Sequence, residues 1–261
     1  MTRGRIAAWA IMLAGTLYYL APLIATFEFS LRMKRGVYSF EAYRVVFSND
    51  QFQNAFLYSV VQALATIVVC AVLVAPTAYF VRLRLPRLRG LIEFITLLPL
   101  VVPAIVLVFG YIKLFSSSSY LPLTSTSLGA DALLMFGYVA LSLPYMYRAV
   151  DSSLSTIDVR TLTEAAESLG AGTLTILVRV ILPNIRSGIL SGAFVSFAIV
   201  IGEFTFASLL DRPAFGPYLQ LIGASRAYEP SALAMMAFAL TWGCMGLMQA
   251  FSGGGRQTAK R

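Results

Sequence analysis

The chain has 261 residues, of which 58% are hydrophobic and only 12% charged, with a formal net charge of +8 and no histidine. Soluble globular domains carry about twice that share of charge, so the composition excludes an ordinary soluble fold and points to a polypeptide whose main solvent is the bilayer. The missing histidine removes the commonest general base and nitrogen metal ligand, and Cys70 and Cys244 both sit in apolar runs, which suggests neither a disulfide framework nor a metal site.

Six apolar segments reach the roughly 20 residues that a bilayer crossing needs: residues 6–27, 57–81, 91–115, 132–150, 185–210 and 231–251. Arg3 and Arg5 precede the first, as in a secretory signal. That run ends in Phe-Glu-Phe-Ser and not in a small-residue cleavage site, so it reads as a retained anchor. Pro22, Pro76, Pro99, Pro103 and Pro144 lie in or near the segments, which is tolerable where neighbouring helices satisfy the freed carbonyls. Between the third and fourth segments, Ser116–Ser119 and Thr124–Ser127 form a nearly uncharged loop. Tyrosines near segment ends, such as Tyr18, Tyr19, Tyr111 and Tyr120, suit interfacial anchoring.

Basic residues set the expected orientation. Arg3 and Arg5, the crowded Arg82, Arg84, Arg87 and Arg89, the set Arg148, Arg160, Arg179 and Arg186, and the tail Arg256, Lys260 and Arg261 all fall on one side of a six-span topology. The other side carries fewer, including Arg32, Lys34 and Arg35 in a long first loop. By the positive-inside rule both termini and the polar loop 151–183 are expected in the cytoplasm. The net positive charge is then a matter of topology and needs no nucleic-acid partner.

The loop 151–183 has its own helical grammar. Leu162, Ala165, Ala166 and Leu169 fall at i, i+3, i+4 and i+7 and predict one apolar stripe on a short amphipathic helix, with Arg160, Glu164, Glu167 and Ser168 facing elsewhere. Thr161 with Glu164 three residues on has capping-box spacing, and Gly170 stands where a left-handed helix end wants a residue without a side chain.

Glu164-Ala165-Ala166, then three residues, Gly170, nine residues, and Val180-Ile181-Leu182-Pro183 resembles the EAA loop of binding-protein-dependent ABC importer permeases, with Val180 in place of isoleucine. The resemblance extends over residues 55–250 and includes Leu143-Pro144-Tyr145 before the loop. It implies an all-α integral membrane fold of the type I importer kind: six transmembrane helices in one permease domain spanning residues 1–261, with a cytoplasmic coupling helix. It also implies a multi-pass protein of the bacterial inner membrane. The partners it implies are a second permease subunit, two ATPase subunits that bind ATP and magnesium, and an external solute-binding protein. On this reading Glu164, Ala165, Ala166, Gly170, Leu182 and Pro183 couple to the ATPase. The chain itself has no Gly-x-x-x-x-Gly-Lys-Ser/Thr phosphate loop, so it is not expected to hydrolyse ATP, and no bound cofactor is expected. In style, including Gly202-Glu203-Phe204-Thr205 and Arg212-Pro213, it is most similar to permeases of the polyamine, opine, phosphonate and ferric-iron group.

Glu203 is an acid inside the fifth apolar segment, where a carboxylate faces a cavity or a partner. It is a candidate for the substrate path of a cationic solute, or a group that hydrogen-bonds a neighbouring helix and fixes packing. Gly188 and Gly192 form a Gly-x-x-x-Gly spacing in the same segment, which reads as close helix contact. Two other classes stay open at this level: a secondary transporter using Glu203 as an ion or proton site, and a non-transporting membrane scaffold.

Overall fold

The computed structural model describes the backbone of residues 2–253 and the side chains of most of them; Arg3, Cys244, Arg256, Lys260 and Arg261 lie outside the described side chains. Every regular element among the described residues is helical. In chain order these are α1 Thr2–Ser30, α2 Glu41–Phe47, α3 Asp50–Leu83, α4 Arg89–Val101, α5 Ala104–Leu114, α6 Ser127–Leu154, α7 Val159–Ser168, α8 Thr173–Thr175, α9 Leu182–Asn184, α10 Arg186–Gly202, α11 Thr205–Leu209, α12 Phe215–Ser225 and α13 Glu229–Gly253. A π-helical stretch, Ile176–Ile181, joins α8 to α9.

The chain divides into two compact units, Met1–Asn54 with Tyr218–Leu240, and Ala55–Pro217 with Thr241–Arg261. In the first, α1 has no buried residue in its apolar window and is apolar on every side, the profile of a helix covered by lipid. Its end is fastened by Ser30, whose hydroxyl lies 2.8 Å from that of Tyr43, and by stacking of Phe29 on Tyr228 at 4.9 Å.

The second unit is organised around α6. Along it runs α10, whose Gly188 and Gly192 face α6 so closely that an added Cβ would lie 2.5 Å from Ser153 Cβ and 2.6 Å from Met146 Sδ. The Gly-x-x-x-Gly spacing is therefore a helix-contact device. α4 packs against another side of α6. The core joins Cys70, Val74, Ala78 and Tyr79 of α3 to Met146, Val150 and Leu154 of α6, and takes in Val159, Ile176, Ile181 and Ile185 from the polar loop and its exit. The loop is thus wired into the apolar core and does not hang from it.

Three helices, in α1, α3 and α6, are long and apolar enough to cross a bilayer, and two bent pairs raise the number to five if each pair is one span. The expected third span, 91–115, is not straight: α4 and α5 meet at 97°. Pro103 pushes Val102 into an extended conformation and withholds a helical N–H, which ends α4 there. The expected fifth span, 185–210, is also interrupted. Residues Thr173–Asn184 and Arg186–Gly202 are bent by 75°, and α10 stops at Gly202, leaving Glu203 in an extended joint before α11. The sixth expected segment, 231–251, coincides with α13, part of which lies outside the described side chains.

Candidate functional site: a capped loop helix and a buried joint

α7 begins three residues earlier than the capping-box spacing predicts. Asp158 is its N-cap: one carboxylate oxygen accepts from the Thr161 backbone N–H at 3.1 Å and the other from the Thr161 hydroxyl at 2.7 Å. Thr161 is therefore the capped third residue and not the cap. Glu164, freed from the capping role expected of it, accepts from Arg160 Nε at 2.7 Å, a pair at i,i+4 on an exposed face. The Thr161 N–H, with its hydroxyl adding to the effect, holds the Asp158 carboxyl below the usual carboxylate range.

The other end of α7 agrees with the sequence. Gly170 has φ +80°, the left-handed region that disfavours any side chain. Its N–H donates to Glu167 O at 2.9 Å and that of Ala171 to Ala166 O at 3.0 Å, the paired bonds of a Schellman end. Ala166 and Ala171, which bracket this turn, both pack against the apolar core.

Which face is buried differs from the expected stripe. Val159 and Thr163 are buried, Leu162 and Ala166 half-buried, and Ala165 exposed, while Leu169 is 89% exposed. The apolar stripe of Leu162, Ala165, Ala166 and Leu169 leaves out Thr163 because its side chain is polar. Thr163 instead donates to Val159 O at 2.7 Å and accepts from the Tyr79 hydroxyl at 3.2 Å, so it is satisfied inside the core and anchors α7 to α3. Consequently Ala165 and Leu169, with Leu174 beyond the turn, form an unburied apolar edge next to the Arg160–Glu164 pair. Leu182 is half-buried against the core and Pro183 is exposed at the bend into α10. Glu164, Ala165, Ala166 and Gly170 are gathered on one short helix and its turn, whereas Leu182 and Pro183 belong to the hinge that follows.

Glu203 lies elsewhere, at the joint between α10 and α11. Its side chain is 9% exposed, and its oxygens accept from the Phe206 N–H at 2.9 and 3.1 Å and from the Ala207 N–H at 3.3 Å. The carboxylate thus caps α11. The joint is tight on all sides: the Phe206 ring fills the place a Cβ on Gly137 would take, 2.4 Å away, and Gly216 leaves room for Glu203 O, 2.3 Å from where its own Cβ would be.

Two charged clusters escaped the sequence reading. Asp131, at the head of α6, is met by the Tyr58 hydroxyl at 2.5 Å and by Arg212 Nε at 2.8 Å, the latter as an ion pair and not an aligned hydrogen bond. Asp151, near the foot of α6, accepts from Arg82 Nε at 2.6 Å and Arg89 Nη2 at 3.0 Å and so ties the ends of α3, α4 and α6. A signal existed in both cases: each aspartate is a lone acid at the end of an apolar segment, with arginines at the ends of others. Among the described residues no group of three or more acidic or cysteine side chains is placed to hold a metal ion.

Comparison with known proteins agrees with this architecture. The sequence profile of the family described as "Binding-protein-dependent transport system inner membrane component" matches residues 67–251. The chain is 27% identical to the spermidine/putrescine transport system permease protein PotB of Escherichia coli over 164 residues, 59% of each chain, so the match spans about three fifths of that relative. It is 28% identical to the molybdenum transport system permease protein ModB of Mycobacterium tuberculosis over 74% of this chain and 71% of the relative. To the spermidine/putrescine permease PotC of Haemophilus influenzae it is 32% identical over 68% of this chain and 66% of the relative. Among solved structures, a bacterial ABC transporter that imports the acidic polysaccharide alginate superposes with a TM-score of 0.71 at 13% identity, covering 95% of this chain and 96% of that one. The chain is therefore an integral membrane protein with the type I permease fold, and it belongs to the binding-protein-dependent ABC importer permease family.

Proposed function

We propose that this chain is one of a pair of permease subunits that together form the path of an ATP-driven solute importer. An external binding protein delivers the solute, and two ATPase subunits, which bind ATP and magnesium, grip the loop 151–183 from the cytoplasm. Both termini are cytoplasmic, residues 1–261 act as one permease domain, and the membrane is the bacterial inner membrane. The observation that carries this reading is the build of α7. One face is bound into the core through Val159, Thr163 and Ala166, while Ala165, Leu169 and the Arg160–Glu164 pair face outward.

The geometry supports a lever. A partner that closes on Ala165 and Leu169 pulls on Thr163, and through the Tyr79 hydroxyl on α3. The same pull passes through Ala171 and Ile176 to the hinge at Leu182-Pro183 and into α10, which lies glycine-to-backbone on α6. Gly170 keeps the end of α7 in the one conformation that allows this transmission. The small Ala165 side chain permits a close approach.

For the solute, the resemblance to PotB and PotC supports a polyamine or similar small cation, while ModB belongs to a molybdenum transport system and the alginate importer carries an acidic polysaccharide. Glu203 on a cation path is the matching site proposal. Its three backbone contacts favour the capping role instead, since a passing cation would have to compete with them. The experiment is uptake in proteoliposomes holding the full importer and its binding protein. Uptake that stops without ATP and continues after ion gradients are collapsed supports the importer. Uptake that follows the gradients and ignores ATP supports a secondary transporter.

A further inference from the structure

Residues 82–89, Arg-Leu-Arg-Leu-Pro-Arg-Leu-Arg, lead from the end of α3 into α4 through a 3₁₀ turn, Pro86–Leu88, and carry four arginines in eight positions. No acidic residue lies between Asp50 and Glu93. The outer two arginines are engaged within the fold, Arg82 with Asp151 and Arg89 with both Asp151 and Glu93. The inner two are not. Arg84 and Arg87 are exposed and make no ion pair among the described residues, and the Arg84 guanidinium lies over the Phe80 ring, 5.9 Å from its centre. The two acids in reach are already matched by Arg82 and Arg89, so the turn keeps two surplus positive charges.

The leucines between these arginines are exposed as well. Leu85, Leu88, Leu91, Ile95 and Leu98, at steps of three and four residues, form one apolar stripe that starts in the turn and continues along α4. On the other side of the same helix Arg89, Glu93 and the buried Thr96, at i, i+4 and i+7, belong to the face packed on α6. The turn therefore points its leucines and its surplus arginines away from this unit. Its depth follows from its neighbours: the apolar segment of α3 ends at Val81, and the exposed apolar face of α4 begins within two residues of Arg89. A segment placed at that border, with cations interleaved among exposed leucines, has the composition of an interfacial element, whose apolar side chains reach the acyl boundary while its cations meet phosphates.

We propose that the turn between α3 and α4 docks on the anionic phospholipid headgroups of the leaflet it faces, Arg84 and Arg87 meeting the phosphates and Leu85 and Leu88 dipping beneath them. The orientation proposed above enters only in naming that leaflet as the cytoplasmic one, and the solute does not enter at all. Positive charge on the cytoplasmic side is a matter of topology; the surplus arginines and the leucine stripe together make it a lipid contact. Tyr79, which holds the coupling loop through Thr163, lies one turn before this segment on α3, so lipid held here steadies the helix end against which α7 works.

The test is photocrosslinking in nanodiscs that hold the complete importer with equal mole fractions of phosphatidylglycerol and phosphatidylcholine, one or the other carrying a photoactivatable headgroup, and the labelled peptides mapped by mass spectrometry. A juxtamembrane arginine gives roughly a fivefold preference for an anionic lipid, so the pair gives about 25-fold. Wild type is expected to show that preference for phosphatidylglycerol at residues 84–91, falling as salt is raised. Arg84→Gln with Arg87→Gln should bring it close to one, with thermal stability unchanged because the Asp151 contacts remain, and lysine at both positions should restore most of it. Equal labelling of the turn by both lipids, or a preference that survives in the double glutamine variant, overturns the proposal. Labelling of the turn by neither lipid overturns it too, since the surface would then be covered by a protein partner.

Discussion

Replacing Gly170 with valine isolates one link of the coupling path. A side chain at Gly170 would meet nothing within 4 Å, so there is no clash and the whole cost is conformational. A residue with a Cβ in the left-handed region costs roughly 1–2 kcal/mol, and a β-branched one more. The alternative is to unwind the end of α7. That loses the bonds from Gly170 N–H to Glu167 O and from Ala171 N–H to Ala166 O, at about 1 kcal/mol each, and withdraws both alanines from the core. Either route costs about 2 kcal/mol, a shift of about 30-fold between the formed and frayed loop. The core of α3, α6 and α10 lies beyond this perturbation, so Gly170→Val should insert and assemble normally while binding-protein-stimulated ATP hydrolysis and uptake come apart. Gly170→Asn tolerates positive φ and should stay near wild type, with alanine between them. Uptake and ATP hydrolysis measured on the same proteoliposomes decide it. Wild-type coupling in the valine variant, or equal loss in valine and asparagine, would refute the argument.

Other expectations follow from the same contacts. Glu164→Lys breaks the pair with Arg160 and reverses a charge on the outward face, so coupling should fall while the melting temperature changes little, because an exposed pair is worth under about 1 kcal/mol. Gly188→Ala should destabilise by about 1–3 kcal/mol, seen as lower thermal stability in detergent, because its Cβ would face the Ala149 backbone oxygen at 2.6 Å; Gly192→Ala should cost somewhat less, since its shortest contact is to the Met146 sulfur, although the Met146 Cα at 3.0 Å stays tight. Asp158 has a depressed pKa when folded, so its capping contribution is present above the ordinary aspartate range and is lost as pH falls through the lower folded value. Amide exchange in α7 should therefore be slower in wild type than in Asp158→Ala at neutral pH, with the gap closing only below about pH 4. Glu203→Gln keeps one acceptor for the Phe206 N–H, so on the capping role it should keep assembly and uptake, whereas Glu203→Leu should disrupt assembly; selective loss of uptake in the glutamine variant would restore the cation-path role.

The apolar segments were legible because composition alone decides what a bilayer accepts, and the left-handed Gly170 because few residues other than glycine end a helix that way. The loop motif was legible as spacing. What escaped depended on tertiary context. Thr163 reads as polar, yet Val159 O and Tyr79 satisfy its hydroxyl and let it sit in the core, which rotated the buried face of α7 and exposed Leu169. Asp158 took the cap from Thr161 because a carboxylate could reach both the N–H and the hydroxyl of the residue expected to do the capping. The joint at Glu203 was hidden inside a hydropathy window, since a five-residue helix capped by its own preceding carboxylate changes direction without changing apolar content.

The central claim is that the outward edge of α7 is gripped by an ATPase from the cytoplasm, and cysteine at Ala165 tests it most directly. In the assembled importer the account predicts a crosslink from this position to an ATPase subunit and no labelling by a membrane-impermeant thiol reagent added outside sealed cells. Labelling from outside, or a crosslink only to the second permease, would contradict it.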